Sequence, residues 1–168
     1  VGNGVRSANA VDDLDEFITK CSVPLVYSPS APDAYGTSNN LSIGSVGIMG
    51  CSRAGNFAIQ NADLILVLGN RLSPMTTGSD YCKFGRSAEI IVVDIDPIEH
   101  SKKTVSIDKL IISDVGDFLK GLINCRVSPA TKVWQNKCIK WKTIFPICED
   151  RFKSGDLVDL YYLSLSQF

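Results

Sequence analysis

The sequence predicts a doubly wound α/β domain, a parallel sheet covered by helices on both faces, and two observations carry that prediction. Three short segments, LILVLGN (64–70), EIIVVDID (89–96) and KLIIS (109–113), are apolar on successive rather than alternate residues. A strand needs such a run when both of its faces are buried, which is the condition inside a parallel sheet. Between these runs lie segments whose apolar residues recur at helical spacing, and strands alternating with helices build such sheets.

The elements follow in order. After VGNGVRS (1–7), Ala8, Val11, Leu14, Phe17, Ile18 and Cys21 predict a helix from about 8 to 21, with Asp12 and Asp13 near its positive end. VPLVYSP (23–29) reads as a buried strand stopped by proline. Residues 29–52, rich in Ser, Pro, Gly and Asn, read as one long loop, a length usually reserved for function or disorder. Ala54, Phe57, Ala58 and Ala62 mark the next helical face, and VGDFLKGLIN (115–124) a further helix after the third apolar strand. Residues 125–132 read as a linker. Beyond it, Trp134, Cys138, Trp141 and Phe145 fall on one helical stripe, and LVDLYYLSLSQF closes the chain. Aromatic residues on so short a tail must pack on the α/β core or on a partner surface.

Composition excludes several classes. With 168 residues, 45% hydrophobic and 21% charged, the chain suits one domain with an appendage. Burial of roughly 70% of the unfolded surface gives a sizeable core. A formal net charge of -1 offers no basic excess for nucleic acid or an anionic membrane. No apolar run approaches the ~18 residues of a membrane span, and no signal segment is expected ahead of the first glycines. The six cysteines (Cys21, Cys51, Cys82, Cys125, Cys138, Cys148) form no C-x-x-C, and His100 is the single histidine, which argues against zinc. Reduced thiols and a cytoplasmic location are the expectation.

Ligands of doubly wound sheets bind where strands end at their carboxyl termini, so the loops there carry the candidates. Gly2 and Gly4 in VGNGVRS can let backbone approach a phosphate, or can form a tight turn. The NAD fingerprint is incomplete: Ser7 stands where a third glycine belongs, and Tyr27 and Ser28 where an acidic residue closes the second strand. Asp94 and Asp96 can accept from ribose or adenine, while Asp96 before Pro97 can equally cap a helix. Arg71 can meet a phosphate or pair with a carboxylate. His100, in HSKK, reads as a surface histidine. No nucleophile with a base and no acidic metal cluster is visible.

The blocks GNGVRSANAVDDLDEF, GIMGCSRAGNFAIQNADLILVLGNRL, IIVVDIDPIEHSKK and SDVGDFL, in this order, resemble the central domain of thiamine-diphosphate-dependent enzymes. The closest likeness is to the acetolactate synthase (acetohydroxyacid synthase) large-subunit group, over residues 1 to about 124. RLSPMTTG and SRAGN are similar to acetolactate-synthase-like proteins of surface-polysaccharide gene sets. The resemblance implies a Rossmann-like sheet of about six parallel strands, set between two thiamine-diphosphate-binding domains, with residues 125–168 leading toward the second. It implies FAD or ADP as ligand. The contacts it implies are Gly2, Asn3 and Gly4 near the pyrophosphate, then Gly47, Met49 and Gly50, then Gly69 and Arg71. Asp94, Ile95 and Asp96 would take the adenosine end, and Asp114 and Val115 the last loop. Two departures stand out: Leu72, Ser73 and Pro74 where relatives carry acidic residues, and Met49 where many carry histidine.

The parent implied by this resemblance decarboxylates a 2-keto acid such as pyruvate and transfers or releases the carbanion equivalent. Its activating glutamate, and the motif that holds thiamine diphosphate through Mg2+, are expected outside these residues. The chain is therefore expected to be a fragment, inactive alone, of a homodimeric or homotetrameric enzyme. The competing expectations are a stand-alone adenine-nucleotide or NAD module and a purely structural scaffold between domains.

Overall fold

A computed structural model describes residues 1–146; the closing LVDLYYLSLSQF lies outside the described residues. The chain starts with a short helix, α1 (Gly4–Ser7), and then α2 (Val11–Cys21). One helix from residue 8 was expected. Asn9 instead takes a left-handed conformation (φ 52°), which asparagine tolerates and which breaks the helical run. Helix α2 buries Leu14, Phe17, Ile18 and Cys21 and carries Asp12 and Asp13 in its first turn.

Strand β1 (Leu25–Tyr27) follows, and β2 (Ser42–Ser45) lies inside the segment expected to be loop throughout. Its sequence, SIGS, lacks an apolar run, yet it pairs in parallel with β1, Tyr27 facing Ser45. Helix α3 (Arg53–Asn61) starts where the Ser52 hydroxyl accepts from the Gly55 N–H at 3.0 Å. Strand β3 (Leu64–Leu68), the short α4 (Pro74–Thr77), β4 (Glu89–Asp94), β5 (Lys109–Ile112) and α5 (Val115–Asn124) complete the domain. Helix α6 (Lys132–Ile144) begins under a Thr131 cap.

All pairings are parallel, in a two-stranded sheet β1–β2 and a three-stranded sheet β3–β4–β5. The described residues thus hold five strands in two sheets rather than a single sheet of six. The Val1–Gly2 backbone bridges the two: the Val1 ammonium donates to Val26 O at 2.8 Å, and Gly2 N–H donates to Leu68 O at 2.9 Å. Strand β4 explains the unbroken apolar runs. Val93 joins α2 and α5 in one core cluster, and its neighbour Val92 joins α3 in another, both with 0% exposure. Helices therefore cover both faces.

Helix α6 packs on α3: Cys138 is buried with Ile43, Ala54 and Ala58, and Trp134 and Trp141 close over them. Phe57 stacks on Trp141 and Phe145 at 5.9 and 5.3 Å. The tail aromatics thus find their cover on the core itself. Burial pushes the Cys138 thiol up to about 12 and raises that of Cys21. The five described cysteines are all free thiols, with Cys82 and Cys125 exposed. In native protein at pH 8, iodoacetamide is expected to label Cys82 and Cys125 while Cys21 and Cys138 react only in denaturant, as peptide mass spectrometry would read. Labelling of Cys138 at the rate of Cys125 would mean that α6 does not rest on α3.

Candidate functional site

The sequence candidates gather on the loops that leave the strands at their carboxyl ends. First among them is VGNG. Gly4 N–H donates to Gly69 O at 2.9 Å, and a Cβ built on Gly4 would lie 2.6 Å from Gly69 Cα. Gly69 itself is left-handed at φ 54°. The glycines after the first turn and after β3 exist because two backbones cross here with no room for side chains. Their donors are engaged: Gly2 on Leu68, Gly4 on Gly69, Val5 on Gly2 and Ser7 on Asn3. Asn3 is exposed beside them.

The loop after β2 is held by a residue that the sequence reading missed. Asn56, on α3, accepts from Gly47 N–H at 3.1 Å and donates to Gly47 O at 2.9 Å. An asparagine on an otherwise small and apolar helix face was the available signal. Gly47 lies against the Met75 carbonyl, where a Cβ would come within 2.5 Å. Ile48 N–H then donates to Met75 O, tying this loop to α4. Met49 projects outward at 68% exposure, and Gly50 is left-handed at φ 62° in open space.

After β3, Asn70 accepts from Leu72 N–H at 2.9 Å, and Leu72 turns into the core at φ 50°. That inward turn accounts for an apolar residue at a position where relatives carry acids. Arg71 points out and pairs with Glu99 at 2.8 Å. Hydrogen bonds from Arg71 and Lys102 hold the Glu99 carboxyl down at about 2. Its folded value is depressed, so any contribution to stability is present above the ordinary carboxylate range and lost as pH falls toward 2. Asp94 and Asp96 also act on the Arg71 charge, placing the guanidinium beside the DIDP turn.

In that turn Asp96 accepts from Ile98 and Glu99 N–H at 2.9 and 3.1 Å, a cap on the short 3-10 helix Glu99–Ser101. Asp94, 8% exposed, accepts from Asp96 N–H at 3.1 Å. His100 corrects the surface reading: its side chain is 2% exposed, with Nε2 at 3.3 Å from Asp94 Oδ2 but outside hydrogen-bond alignment. The short helix folds the ring back under the loop, which its lysine neighbours gave no reason to expect. Ile95 and Ile98 are 70% and 79% exposed. After β5, Asp114 caps α5 by accepting from Gly116 and Asp117 N–H. Val115 is buried in the core, so only its backbone reaches this edge.

The result is an open shelf of exposed apolar side chains around one arginine and several carboxylates. Its nearest hollow, between the β2 loop, α3 and α4, measures 200 Å³, below the ~300 Å³ at which small-molecule pockets begin. The larger cavity, 670 Å³, lies between the two sheets and away from these loops. Among the described residues no three His, Cys, Asp or Glu side chains gather where they could hold a metal ion. No described helix is long and apolar enough to cross a membrane.

The profile of the family described as "Thiamine pyrophosphate enzyme, central domain" matches residues 1–122, which include every loop described above. Among curated proteins, the acetolactate synthase large subunit of Cyanidium caldarium is 30% identical over 154 residues, 88% of this chain and 26% of its own. The large subunit of Corynebacterium glutamicum is 31% identical over 156 residues, 92% of this chain and 24% of its own. That of Buchnera aphidicola (Schizaphis graminum) is 33% identical over 147 residues, 85% and 25%. The chain spans about a quarter of the length of these relatives.

Proposed function

The chain belongs to the thiamine pyrophosphate enzyme central-domain family, and from that premise we propose that it serves an acetolactate-synthase-like enzyme as an adenine-nucleotide-binding domain, itself without catalysis. The parent would act on a 2-keto acid such as pyruvate. Its thiamine diphosphate and Mg2+ would be held by other parts of the parent, since the described residues offer no metal-ligand set. FAD or ADP would lie on the shelf.

One observation carries this reading. The loops after β2, β3 and β4 bring Met49, Arg71, Ile95 and Asp96 to the carboxyl ends of parallel strands, where doubly wound sheets take ligands. Arg71 offers a cation to the diphosphate, and the exposed apolar side chains offer flat cover to a ring system. A scaffold reading is favoured by a different observation: the VGNG donors already serve the loop crossing.

Thermal unfolding of the 168-residue chain separates the two. FAD or ADP at 100 times its Kd is expected to stabilise the fold by about 2.7 kcal/mol, a rise of several degrees. NAD and thiamine diphosphate with Mg2+ are expected to give none. Arg71→Ala should weaken the response to FAD and ADP without lowering the ligand-free midpoint, because the Arg71–Glu99 pair is largely exposed on the arginine side. An unchanged midpoint with every nucleotide would leave the scaffold reading standing.

A further inference from the structure

The 670 Å³ cavity has a specific shape, and backbone hydrogen bonding defines it. Alternate residues of a strand turn their N–H and C=O to opposite sides. In β3, Asp63 O accepts from Glu89 and Gly69 N–H donates to Val93, so the odd-numbered residues face β4. The polar groups of Leu64, Leu66 and Leu68 therefore face the cavity. In β1, Leu25 N–H and Tyr27 O are bonded toward β2, which turns Val26 and Ser28 to the cavity from the other side.

Val1 already occupies one rung of the ladder between them. It donates to Val26 O and accepts from Ser28 N–H, bracketing Tyr27 in the pattern of a parallel pair. On its other side Gly2 donates to Leu68 O, which sets Val1 opposite Leu68. Stepping back along that ladder leads past residues 23–26 on one side and 64–67 on the other, and all of these line the cavity. Its two faces are apolar: Leu14, Phe17 and Phe118 on one, Ala58, Ile59 and Ala62 on the other. Leu64, at the open end, is 52% exposed.

We infer that this cleft is the seat of a further parallel β-strand, about four residues long and apolar on both faces, that runs into Val1 and joins the two sheets into one. The occupant is a peptide strand because the cleft presents two facing edges of backbone donors and acceptors in register, which a small apolar ligand cannot satisfy. It is continuous with Val1 because the Val1 nitrogen makes the bond to Val26 that a peptide N–H makes in a ladder. Burial lowers the ammonium at that point to about 5, whereas an amide there would bury no charge. The inference is independent of nucleotide binding.

The test compares the 168-residue chain with two versions extended ahead of Val1, one by Lys-Val-Ile-Val-Ile and one by Lys-Pro-Ile-Pro-Ile, without nucleotide. Proline removes ladder donors while keeping apolar character. The Val-Ile extension is expected to raise the midpoint by about 10 °C. It should also slow amide exchange at Val26, Leu66 and Leu68 by about 100-fold, with smaller changes at Ile65 and Val67, which face β4. The proline extension should do neither, and light scattering should report monomers in every case. Equal stabilisation by both extensions, exchange that is not slowed at these alternate amides, or protection in the unextended chain through dimer formation would each overturn the proposal.

Discussion

Gly4→Ala is expected to destabilise the domain by about 3 kcal/mol or more, enough to leave much of the protein unfolded at 37 °C. The added Cβ would meet Gly69 Cα at 2.6 Å and Gly69 O at 2.8 Å, and both are backbone atoms that cannot rotate aside. Relief requires separating the loop before α1 from the loop after β3, which breaks the Gly4–Gly69 hydrogen bond. Gly69→Ala meets the same wall from the other side, with Gly4 Cα at 2.6 Å, and adds the strain of φ 54° on a residue with a Cβ. The two together should cost less than their sum, since one separation relieves both. Gly121→Ala is the control. It lies in α5 with nothing within 4 Å of its Cβ, and should stabilise by up to about 1 kcal/mol through helix propensity. Urea midpoints of the three variants measure this, and Gly4→Ala melting with the parent chain would show that the loops do not cross as closely as described.

That crossing shows why part of the site was legible and part was not. A glycine pair announces that backbone must come close to something, but not what it approaches. Here the partner is Gly69, distant in sequence, and nothing local to VGNG points to it. Strands β3 and β4 were legible because burial on both faces leaves a continuous apolar run. Strand β2 was not: in SIGS, Gly44 is required by the Ser52 side chain, which a Cβ would meet at 2.3 Å, and the flanking serines are ordinary loop residues. A pairing fixed by β1 overrode weak local preference. Asp96 was read as either ligand or cap, and the cap is now seen. Arg71 was expected to meet a phosphate or a carboxylate, and Glu99 supplies the carboxylate. His100 was misread because the short helix that turns it under Asp94 depends on tertiary folding rather than on the lysines around it.

Leu14→Ala and Leu119→Ala are each expected to lower stability by about 2–5 kcal/mol, the range for leucine removed from a closed core. Leu14 is 1% exposed and Leu119 0%, and they come from α2 and α5, which pack together over Val93 and Leu68. Neither helix can follow the lost volume without leaving the sheet, so the cavity term adds to the transfer term. Val133→Ala, at a 79% exposed position of α6, should change stability by less than about 0.5 kcal/mol. The layer also reaches the candidate site. Val5 and Ala10, both 0% exposed, belong to the same cluster and anchor the loop that carries Gly2 and Gly4. Loosening α2 against α5 should therefore speed hydrogen exchange at the Gly2 and Gly4 amides more than at the central residues of β4. Equal acceleration at all of these amides would mean that the layer opens only with the whole domain, so that the glycine crossing has no local mobility to give to a ligand.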